Sequence, residues 1–325
     1  MSEKPVIVSE YVRCDLCGSA DHELLYSKID PVTGGEFHLV QCECGMAYVN
    51  PMPVEESIVN LYHEDYHHGK AAKTKMYQRM LKCLQGASGK KLLDIGCGRG
   101  EFLHYASKEG WDPYGVDIIE WESRCNVPIR IGNFLTMDLG EDAFDVVTAW
   151  AVLEHVRQPS LYFEKISRIL RENGRLILAV PNIAAPGMKH SCTEDIPRHL
   201  WLFTPTTVRK FLKEYGMTAL SVRHNSGIYT AYPFDLVRYG LDRVSGGNGK
   251  CADYANKAVA RLRNRQIRGN LVPWMSEALR DLSLGDLLLD TVDIAFGVCL
   301  ANVSKLIRNY GIITVVAVRD PHSTP

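Results

Sequence analysis

Short apolar runs alternate with amphipathic segments between residues 90 and 181, and this alternation constrains the fold more than any other feature of the chain. "KLLDIG" predicts a buried strand, and "EFLHYASKEG" predicts a helix that ends at Gly110. Further strands are predicted in "DPYGVDI", "VPIRIGN", "FDVVTAWAVL" and "RLILAVPN", and the helix in "SLYFEKISRILRENG" is predicted to stop at Gly174. Such alternation indicates a parallel sheet with helices on both faces, in which ligands bind at the carboxyl ends of the strands.

A glycine-rich turn of the pattern D-x-G-x-G-x-G follows the first of these strands, with Asp94 ahead of Gly96, Gly98 and Gly100. A dinucleotide fingerprint would require a glycine where this chain has Glu101. An acid at the start of a helix disfavours a pyrophosphate, whose natural seat is that positively polarised end. Asp94 and Glu101 instead suit a nucleotide-like ligand that carries an amino group.

The next three strands each end in side chains that suit another part of such a ligand. Asp117, with Ile118 beside it, lies about twenty residues after the turn, where an acid accepts hydrogen bonds from ribose hydroxyls. Asn133 could read an adenine edge and Phe134 could flank the ring, while Trp150 would form the floor of the pocket. A tryptophan such as Trp150, taken alone, would more often belong to the core. The prediction of a ligand pocket therefore depends on finding the glycine turn, Asp117, Asn133 and Trp150 in this order along the chain.

Four of the ten cysteines lie in the first 44 residues as two close pairs, Cys14 with Cys17 and Cys42 with Cys44. Zinc prefers four soft ligands in a tetrahedron, and thiolates from two tight turns supply them. Because two short strands are also predicted between the pairs, around "HELLYSK" and "EFHLVQ", the pattern indicates a small zinc ribbon. The second pair has unusually tight spacing, so a nearby histidine could replace a cysteine that fails to reach, either His22 or His38. Four free cysteines are the alternative.

In order along the chain, "LDIGCGRG", "GVDI", "IGNF" and "FDVVTAWAVLEHV" resemble the motifs of class I S-adenosylmethionine-dependent methyltransferases. The resemblance covers about residues 12 to 225 and the last strand, and it is closest to ubiquinone-type and biosynthetic-cluster enzymes that begin with a paired-cysteine ribbon. It implies S-adenosylmethionine as cofactor and an α/β fold. That fold is a Rossmann-like, seven-stranded methyltransferase sheet with an N-terminal zinc ribbon and a helical insertion before the last strand. The Cys42 and Cys44 spacing departs from the family pattern, as does Asn133 where an acid is common.

Four regions are predicted along the chain: a zinc-ribbon-like module over 1–50, a helical linker or cofactor lid over 51–89, the methyltransferase domain over 90–225 and 311–320, and a helical insertion over 226–310. The last two strands, "TALSVRH" and "GIITVVAVR", are predicted to form an antiparallel pair on either side of the insertion. Three interpretations of the insertion remain open. It could form a lid or substrate wall, a homodimer surface, or a contact with a membrane surface through the basic "ARLRNRQIR".

Methyl transfer from a sulfonium has a good leaving group, so the enzyme mainly positions the partners, and a hydroxyl acceptor also needs a base. His155 in "LEHV" and His199 in "PRHLWLF" are the candidate catalytic residues, because they follow the fourth and fifth strands and histidine titrates near neutrality. The alternative for each histidine is structural support of its loop. Tyr66 in "HEDYHH" is a candidate to close over the cofactor, with a packing role as the alternative.

Composition and charge narrow the function. The chain has 37 Lys plus Arg against 38 Asp plus Glu, a net charge of -1, so no global positive field favours a nucleic-acid backbone. It shows neither a signal peptide nor an apolar run that could span a bilayer, and we expect a cytoplasmic protein. We expect O-methylation of a small molecule, a sugar or another biosynthetic intermediate. The alternatives are an RNA base methyltransferase whose ribbon binds nucleic acid, and a cofactor-binding partner module that does no chemistry.

Overall fold

The computed structural model describes residues 6–30, 33–61, 74–122, 126–185, 195–224 and 311–321, with the single positions 188, 228, 292 and 299. The strands are β1 (Ser9–Glu10), β2 (His22–Ile29), β3 (Glu36–Cys42), β4 (Ala47–Val49), β5 (Met52–Pro53), β6 (Lys91–Ile95), β7 (Asp112–Asp117), β8 (Ile129–Ile131), β9 (Phe144–Trp150), β10 (Leu170–Pro181), β11 (Trp201–Leu202), β12 (Met217–Arg223) and β13 (Ile312–Arg319). The helices are α1 (Glu55–Ile58), α2 (Thr74–Cys83), α3 (Glu101–Lys108), α4 (Pro159–Ile169) and α5 (Pro205–Glu214), with short 3-10 turns at Val59–Leu61 and Phe134–Thr136. Among these helices, none combines the length and the apolar character needed to cross a membrane.

The larger sheet has seven strands in the order β12-β13-β10-β9-β6-β7-β8. β13 pairs antiparallel with both β10 and β12, and the remaining neighbours pair in parallel. The central strands β6 and β9 are buried almost throughout, as expected for a parallel sheet covered on both faces. The predicted seven-stranded Rossmann-like sheet with an antiparallel last pair is therefore confirmed.

Two helices contact each other through stacked aromatic rings, and a third approaches the sheet closely. The rings of Phe163 in α4 and Phe211 in α5 stack at 4.9 Å between centroids. On β7, a Cβ at Gly115 would lie 2.7 Å from Cys97 Sγ and 2.8 Å from Leu103 Cδ1, so only glycine lets α3 and the turn before it pack this closely. This packing brings the glycine turn onto the carboxyl ends of β6 and β7.

The smaller sheet joins the N-terminal ribbon, residues 9–53, to the rest of the molecule. Its strand order is β11-β4-β3-β2, and β11 comes from the chain after β10. Trp201 of β11 pairs with Tyr48 of β4, and their rings stack at 5.0 Å. Beyond the predicted module boundary at residue 50, β5 still pairs with β1. The ribbon is thus hydrogen-bonded to the rest of the chain through the β4–β11 pair.

Two sequence-based expectations differ from the structure or fall outside it. Helix α4 ends at Ile169 instead of Gly174, because Leu170 already has extended backbone (φ -71°, ψ 137°) and pairs with Phe144 of β9. The predicted insertion over 226–310 lies almost wholly outside the described residues, and Tyr66 lies outside them as well.

Candidate functional site

The glycine turn between β6 and α3 presents its backbone to open space. Gly96, Gly98 and Gly100 have φ angles of 68°, 56° and 78°, in the left-handed region that favours glycine. A Cβ on Gly96 would lie 2.6 Å from Val152 Cγ2, whereas one on Gly98 would meet no atom within 4 Å in the described part of the chain. A side chain at Gly96 would therefore clash with Val152 in the loop after β9, whereas Gly96 itself is exposed and Gly98 is partly exposed.

Asp94 lies beneath this turn rather than in it. Its side chain is 2% exposed and accepts a hydrogen bond from Thr148 Oγ1 at 2.6 Å. Burial raises the pKa of Asp94 to about 8, although the Thr148 bond acts in the opposite direction, so this carboxyl is largely protonated at neutral pH. Its predicted contact with a ligand amino group stays a prediction. Glu101, the first residue of α3, is only partly buried and is the more accessible carboxylate.

Asp117 links the turn to the end of β7. Its Oδ2 accepts a hydrogen bond from the Gly98 N–H at 2.8 Å, and its Oδ1 accepts one from the Ile119 N–H at 2.9 Å. A carboxylate oxygen has two lone pairs, so each oxygen keeps one acceptor site for a ligand hydroxyl. Ile118 is exposed beside it and forms an apolar rim. The arrangement is compatible with the predicted ribose contact, which stays a prediction.

The loop after β8 carries Asn133 and Phe134, and both side chains make contacts within the protein. Asn133 Oδ1 accepts a hydrogen bond from the Leu135 N–H at 2.9 Å and caps the short 3-10 turn, which leaves one lone pair and its NH2 group for an adenine edge. Phe134 is 3% exposed, and its ring packs 5.1 Å from that of Tyr162. Phe134 therefore supports the loop from the core instead of flanking a ligand.

Sequence reasoning missed Lys165 of α4. Its Nζ donates to the carbonyls of Phe134 at 2.6 Å and Leu135 at 3.0 Å, and also to that of Met137. An ammonium has three donors, so a single side chain satisfies three carbonyls and fixes the loop. Burial lowers the pKa of Lys165. A lysine in an amphipathic helix gives no signal of this role, because its partners lie 28 to 31 residues earlier in the chain.

Trp150 ends β9 with its ring buried against the start of α3. The ring meets that of Phe102 edge-on, with 5.6 Å between centroids. Its Nε1 is buried and has no hydrogen-bond partner within the described ranges. A buried donor without a partner costs free energy, so this N–H is a candidate to bind a ligand acceptor, as the predicted pocket floor requires.

His155 and His199 lie together, next to Glu154. The two rings meet edge-on with 4.7 Å between centroids, and one polar atom from each of the three side chains falls within 4.8 Å of the others. His155 Nδ1 lies 3.0 Å from the carbonyl oxygen of Arg198, which places a proton on Nδ1 and favours a supporting role for this histidine. His199 is buried, and its Nδ1 lies 3.9 Å from Asp195 Oδ2.

The surroundings set the proton affinities of these three groups apart. Burial raises the pKa of Glu154 to about 8, so this carboxyl is mostly protonated at neutral pH. Burial, together with the neighbouring His199, lowers the pKa of His155 to about 3. Burial also lowers the pKa of His199, although Asp195 opposes this effect. For Asp195 burial would raise the pKa, but His199 and Arg198 lower it. Among Glu154, His155 and His199, a neutral His199 beside an ionised Asp195 is the best proton acceptor.

The four ribbon cysteines converge on one point. Cys14 and Cys44 have their Sγ atoms 3.5 Å apart, Cys17 and Cys42 have theirs 3.4 Å apart, and all four sulfurs lie within 4.8 Å of one another. Zinc with Zn–S bonds of about 2.3 Å would hold tetrahedral ligands roughly 3.8 Å apart, so this cluster fits the ion.

The turns and histidines around the cluster also favour a four-cysteine set. Gly18 and Gly45 have φ angles of 74° and 90°, and each closes a turn by donating to a cysteine carbonyl three or four residues earlier. His22 Nδ1 lies 2.8 Å from the Ala20 carbonyl oxygen. His38 Nδ1 lies 2.8 Å from Ser27 Oγ. Both histidines are thus engaged away from the sulfurs.

Residues 66–222 match the model of a family described as a methyltransferase domain. A ubiquinone biosynthesis O-methyltransferase of Rhodopseudomonas palustris (strain HaA2) is 26% identical over 167 residues, which cover 45% of this chain and 65% of the relative. The enzyme of the same name from Pasteurella multocida (strain Pm70) is 32% identical over 117 residues, which cover 30% of this chain and 48% of the relative. The chain thus spans about half to two thirds of the length of these relatives.

Among solved structures, a SAM-dependent methyltransferase from Archaeoglobus fulgidus is 15% identical and covers 78% of this chain and 97% of its own, with a TM-score of 0.47. The family match covers the stretch that holds the glycine turn, Asp117 and the histidine at position 155. Just under half of the chain, residues 66–222, is thus similar to the methyltransferase domain family.

Proposed function

We propose that this chain transfers a methyl group from S-adenosylmethionine to a hydroxyl oxygen of a small molecule. The observation that carries the proposal is the hydrogen bond of 2.8 Å from the Gly98 N–H to Asp117. This bond joins the glycine turn after β6 to the acid that ends β7, and the two strands are parallel neighbours. The residues present suit the cofactor: Asp117 for the ribose, the glycine turn for the amino-acid end, and the Trp150 N–H, which has no partner among the described residues, for a polar atom at the floor. When bound, the cofactor supplies an electrophilic methyl group on a positively charged sulfur.

The chain's own residues supply positioning and proton transfer. Lys165 holds the adenine-side loop by its three carbonyl contacts. His199 accepts the proton that the acceptor hydroxyl loses, and Asp195, 3.9 Å from its Nδ1, stabilises the imidazolium that forms. His155 orients the neighbouring backbone through its bond to the Arg198 carbonyl. His199 is buried, whereas the Asp195 side chain that faces it is 37% exposed.

We also propose that the four cysteines bind a structural zinc ion. The spacing of their sulfurs supports a closed tetrahedral site, and four thiolates leave no position for water or substrate. The ion would stabilise the turns at both ends of the ribbon hairpin. Its task would be folding and rigidity rather than chemistry.

The acceptor is proposed to be a sugar or another biosynthetic intermediate. The two relatives quoted above are named ubiquinone biosynthesis O-methyltransferases, and this supports oxygen as the methylated atom. The net charge of -1 gives an RNA acceptor no comparable support.

A labelled-methyl transfer screen tests the proposal with nucleotide-activated sugars, phenols and a structured RNA as acceptors. We expect transfer to a small molecule, and we expect His199→Gln to lower kcat by about a hundredfold or more, since general base catalysis contributes about 10²–10⁴. His22→Gln, which changes an exposed histidine of the ribbon, is the matched control and should leave the rate unchanged.

Each other outcome would support a different function. Salt-sensitive labelling of RNA alone would favour the RNA enzyme, and cofactor binding without transfer to any acceptor would favour a binding module. Because Glu154, His155 and His199 lie close enough to share a divalent ion, the assay is repeated with EDTA. Activity that is lost with EDTA and restored by added Mg²⁺, which does not replace zinc at four thiolates, would refute the assignment of His199 as a free base.

A further inference from the structure

The segment that carries His199, residues 195–202, is held between two parts of the molecule. On one side, the Leu200 N–H donates to the carbonyl of Glu154 at 2.7 Å, which ties the segment to the loop after β9. On the other side, the Val49 N–H donates to the Leu200 carbonyl at 2.9 Å, and β11 pairs with β4. The ribbon therefore forms one wall of the position that His199 occupies.

Two charged side chains of the ribbon hairpin reach the same segment. Lys28 Nζ donates to the carbonyl of Ile196 at 3.5 Å, and Asp30 Oδ1 lies 3.8 Å from Arg198 Nη1. Both side chains are buried, with 6% exposure for Lys28 and 0% for Asp30. The other carboxylate oxygen of Asp30 accepts two hydrogen bonds from Thr33, both 2.9 Å long, so this carboxylate is held in one orientation.

We propose that Lys28 and Asp30 are positioning residues for His199. This inference rests on the proposed function, in which His199 accepts the proton of the acceptor hydroxyl. Arg198 is held at both ends, since its carbonyl oxygen lies 3.0 Å from His155 Nδ1 and its guanidinium faces Asp30. His199 is the next residue, so the direction of its ring depends on how Arg198 is held.

The charge of these two residues argues for a role beyond packing. Burying a lysine and an aspartate is costly, and apolar residues of similar volume would anchor a hairpin at least as well. The Lys28 and Asp30 contacts place opposite charges at two defined points of the segment, which apolar contacts would not do. The β4–β11 pairing already attaches the segment to the ribbon. Loss of the Lys28 or Asp30 contact should therefore displace His199 without unfolding the chain.

The test compares single variants of the full chain saturated with S-adenosylhomocysteine. Asp30→Asn keeps the side-chain shape and an acceptor for Thr33 but removes the charge that faces Arg198. Lys28→Gln removes the second charge, and Glu23→Gln, an exposed acid on the same strand, is the matched control. Histidine labelled with ¹⁵N reports the ring environment by NMR, and the His199 signals are assigned by their loss in His199→Gln. Cofactor affinity and thermal unfolding are measured on the same samples.

We expect the His199 ring signals to move or broaden in Asp30→Asn and in Lys28→Gln, while the signals of the exposed His22 and the affinity for S-adenosylmethionine stay at their wild-type values. With an acceptor from the transfer screen, kcat should fall by about tenfold to a hundredfold, because a small misplacement of a catalytic group costs up to about that factor. KM for the cofactor should not change.

Unchanged His199 signals in a folded variant would overturn the proposal, and so would an equal change in Glu23→Gln. If Asp30→Asn fails to fold, Lys28→Gln decides the question. The NMR readout needs no acceptor. A wild-type chain that transfers no methyl group would therefore refute the proposed function, whereas unchanged His199 signals in the variants would refute the positioning role of Lys28 and Asp30.

Discussion

Replacement of Asp117 by alanine should weaken S-adenosylmethionine binding far more than it weakens the fold. Asp117 accepts one backbone N–H at each oxygen, from Gly98 and from Ile119, and its remaining acceptor sites are those that we assign to the ribose hydroxyls. The alanine variant loses these ligand contacts. It also loses the bond that holds Gly98, the residue at which the turn faces open space.

The magnitude follows from the number of contacts. A hydrogen bond to a charged group contributes about 1.5–3 kcal/mol, and about 1.4 kcal/mol changes a dissociation constant tenfold. Loss of two ribose hydrogen bonds should therefore raise the dissociation constant of Asp117→Ala by about two to four powers of ten. Asp117→Asn keeps one carbonyl acceptor and loses the charge, so about one power of ten is expected. Calorimetric titration with S-adenosylmethionine at fixed salt measures both values.

The control for this experiment comes from the other end of the same strand. Asp112 begins β7 and is exposed, so Asp112→Ala should bind the cofactor with wild-type affinity. A folded Asp117→Ala that binds S-adenosylmethionine as tightly as the wild type would refute the ribose assignment. Tight binding of NAD in place of S-adenosylmethionine, by the wild type and the variant alike, would refute the assignment of the glycine turn to S-adenosylmethionine.

Cys42→Ser should lower both the zinc content and the melting temperature of the chain, because a structural zinc ion contributes directly to folding; a purified wild type without zinc by mass spectrometry would contradict this. Lys165→Met should weaken cofactor binding by about tenfold by releasing three loop carbonyls. Arg168→Met, one turn later in α4, is the control in the same calorimetric titration. Equal losses of cofactor affinity in the two variants would contradict the role of Lys165 in fixing the loop. Finally, kcat/KM should rise with pH through a midpoint below 6.5 and then level off, because burial lowers the pKa of His199 and only its neutral form accepts a proton. A midpoint near 8 in the pH–rate profile would instead point to Glu154 or Asp94.

The larger sheet can be predicted from the sequence because the information that specifies it is local. The apolar runs of β6 and β9 and the glycine turn each occupy a few consecutive residues, and their order along the chain determines a parallel sheet. The end of α4 cannot be found in this way. Leu170 leaves the helix to pair with Phe144 of β9, a contact that helical periodicity does not encode. The two-residue strand β11 is missed for the same reason, since its only signal is its partner in β4.

Within the site, the strand end that a residue occupies is easier to predict than the direction of its side chain. Asp117 lies at the expected strand end with acceptor sites available. Asp94 and Phe134 also follow from strand-end positions in the sequence, yet both are almost fully buried. Their directions depend on Thr148 and Tyr162, which come from other elements of the fold. Sequence spacing carries no information about such partners.

The proposed site has a cofactor side and an acceptor side with different physical origins. Part of the proposed cofactor side is backbone within residues 94–119, where positive φ angles favour glycine. The acceptor side depends on the direction of His199, which is set by side chains from the ribbon and by the β4–β11 pairing. Trp201 of β11 shares one buried cluster with Cys14 and Cys42. The cysteine site therefore stabilises the same strand pair that holds the proposed base, and changes in the ribbon should alter turnover while cofactor affinity is retained.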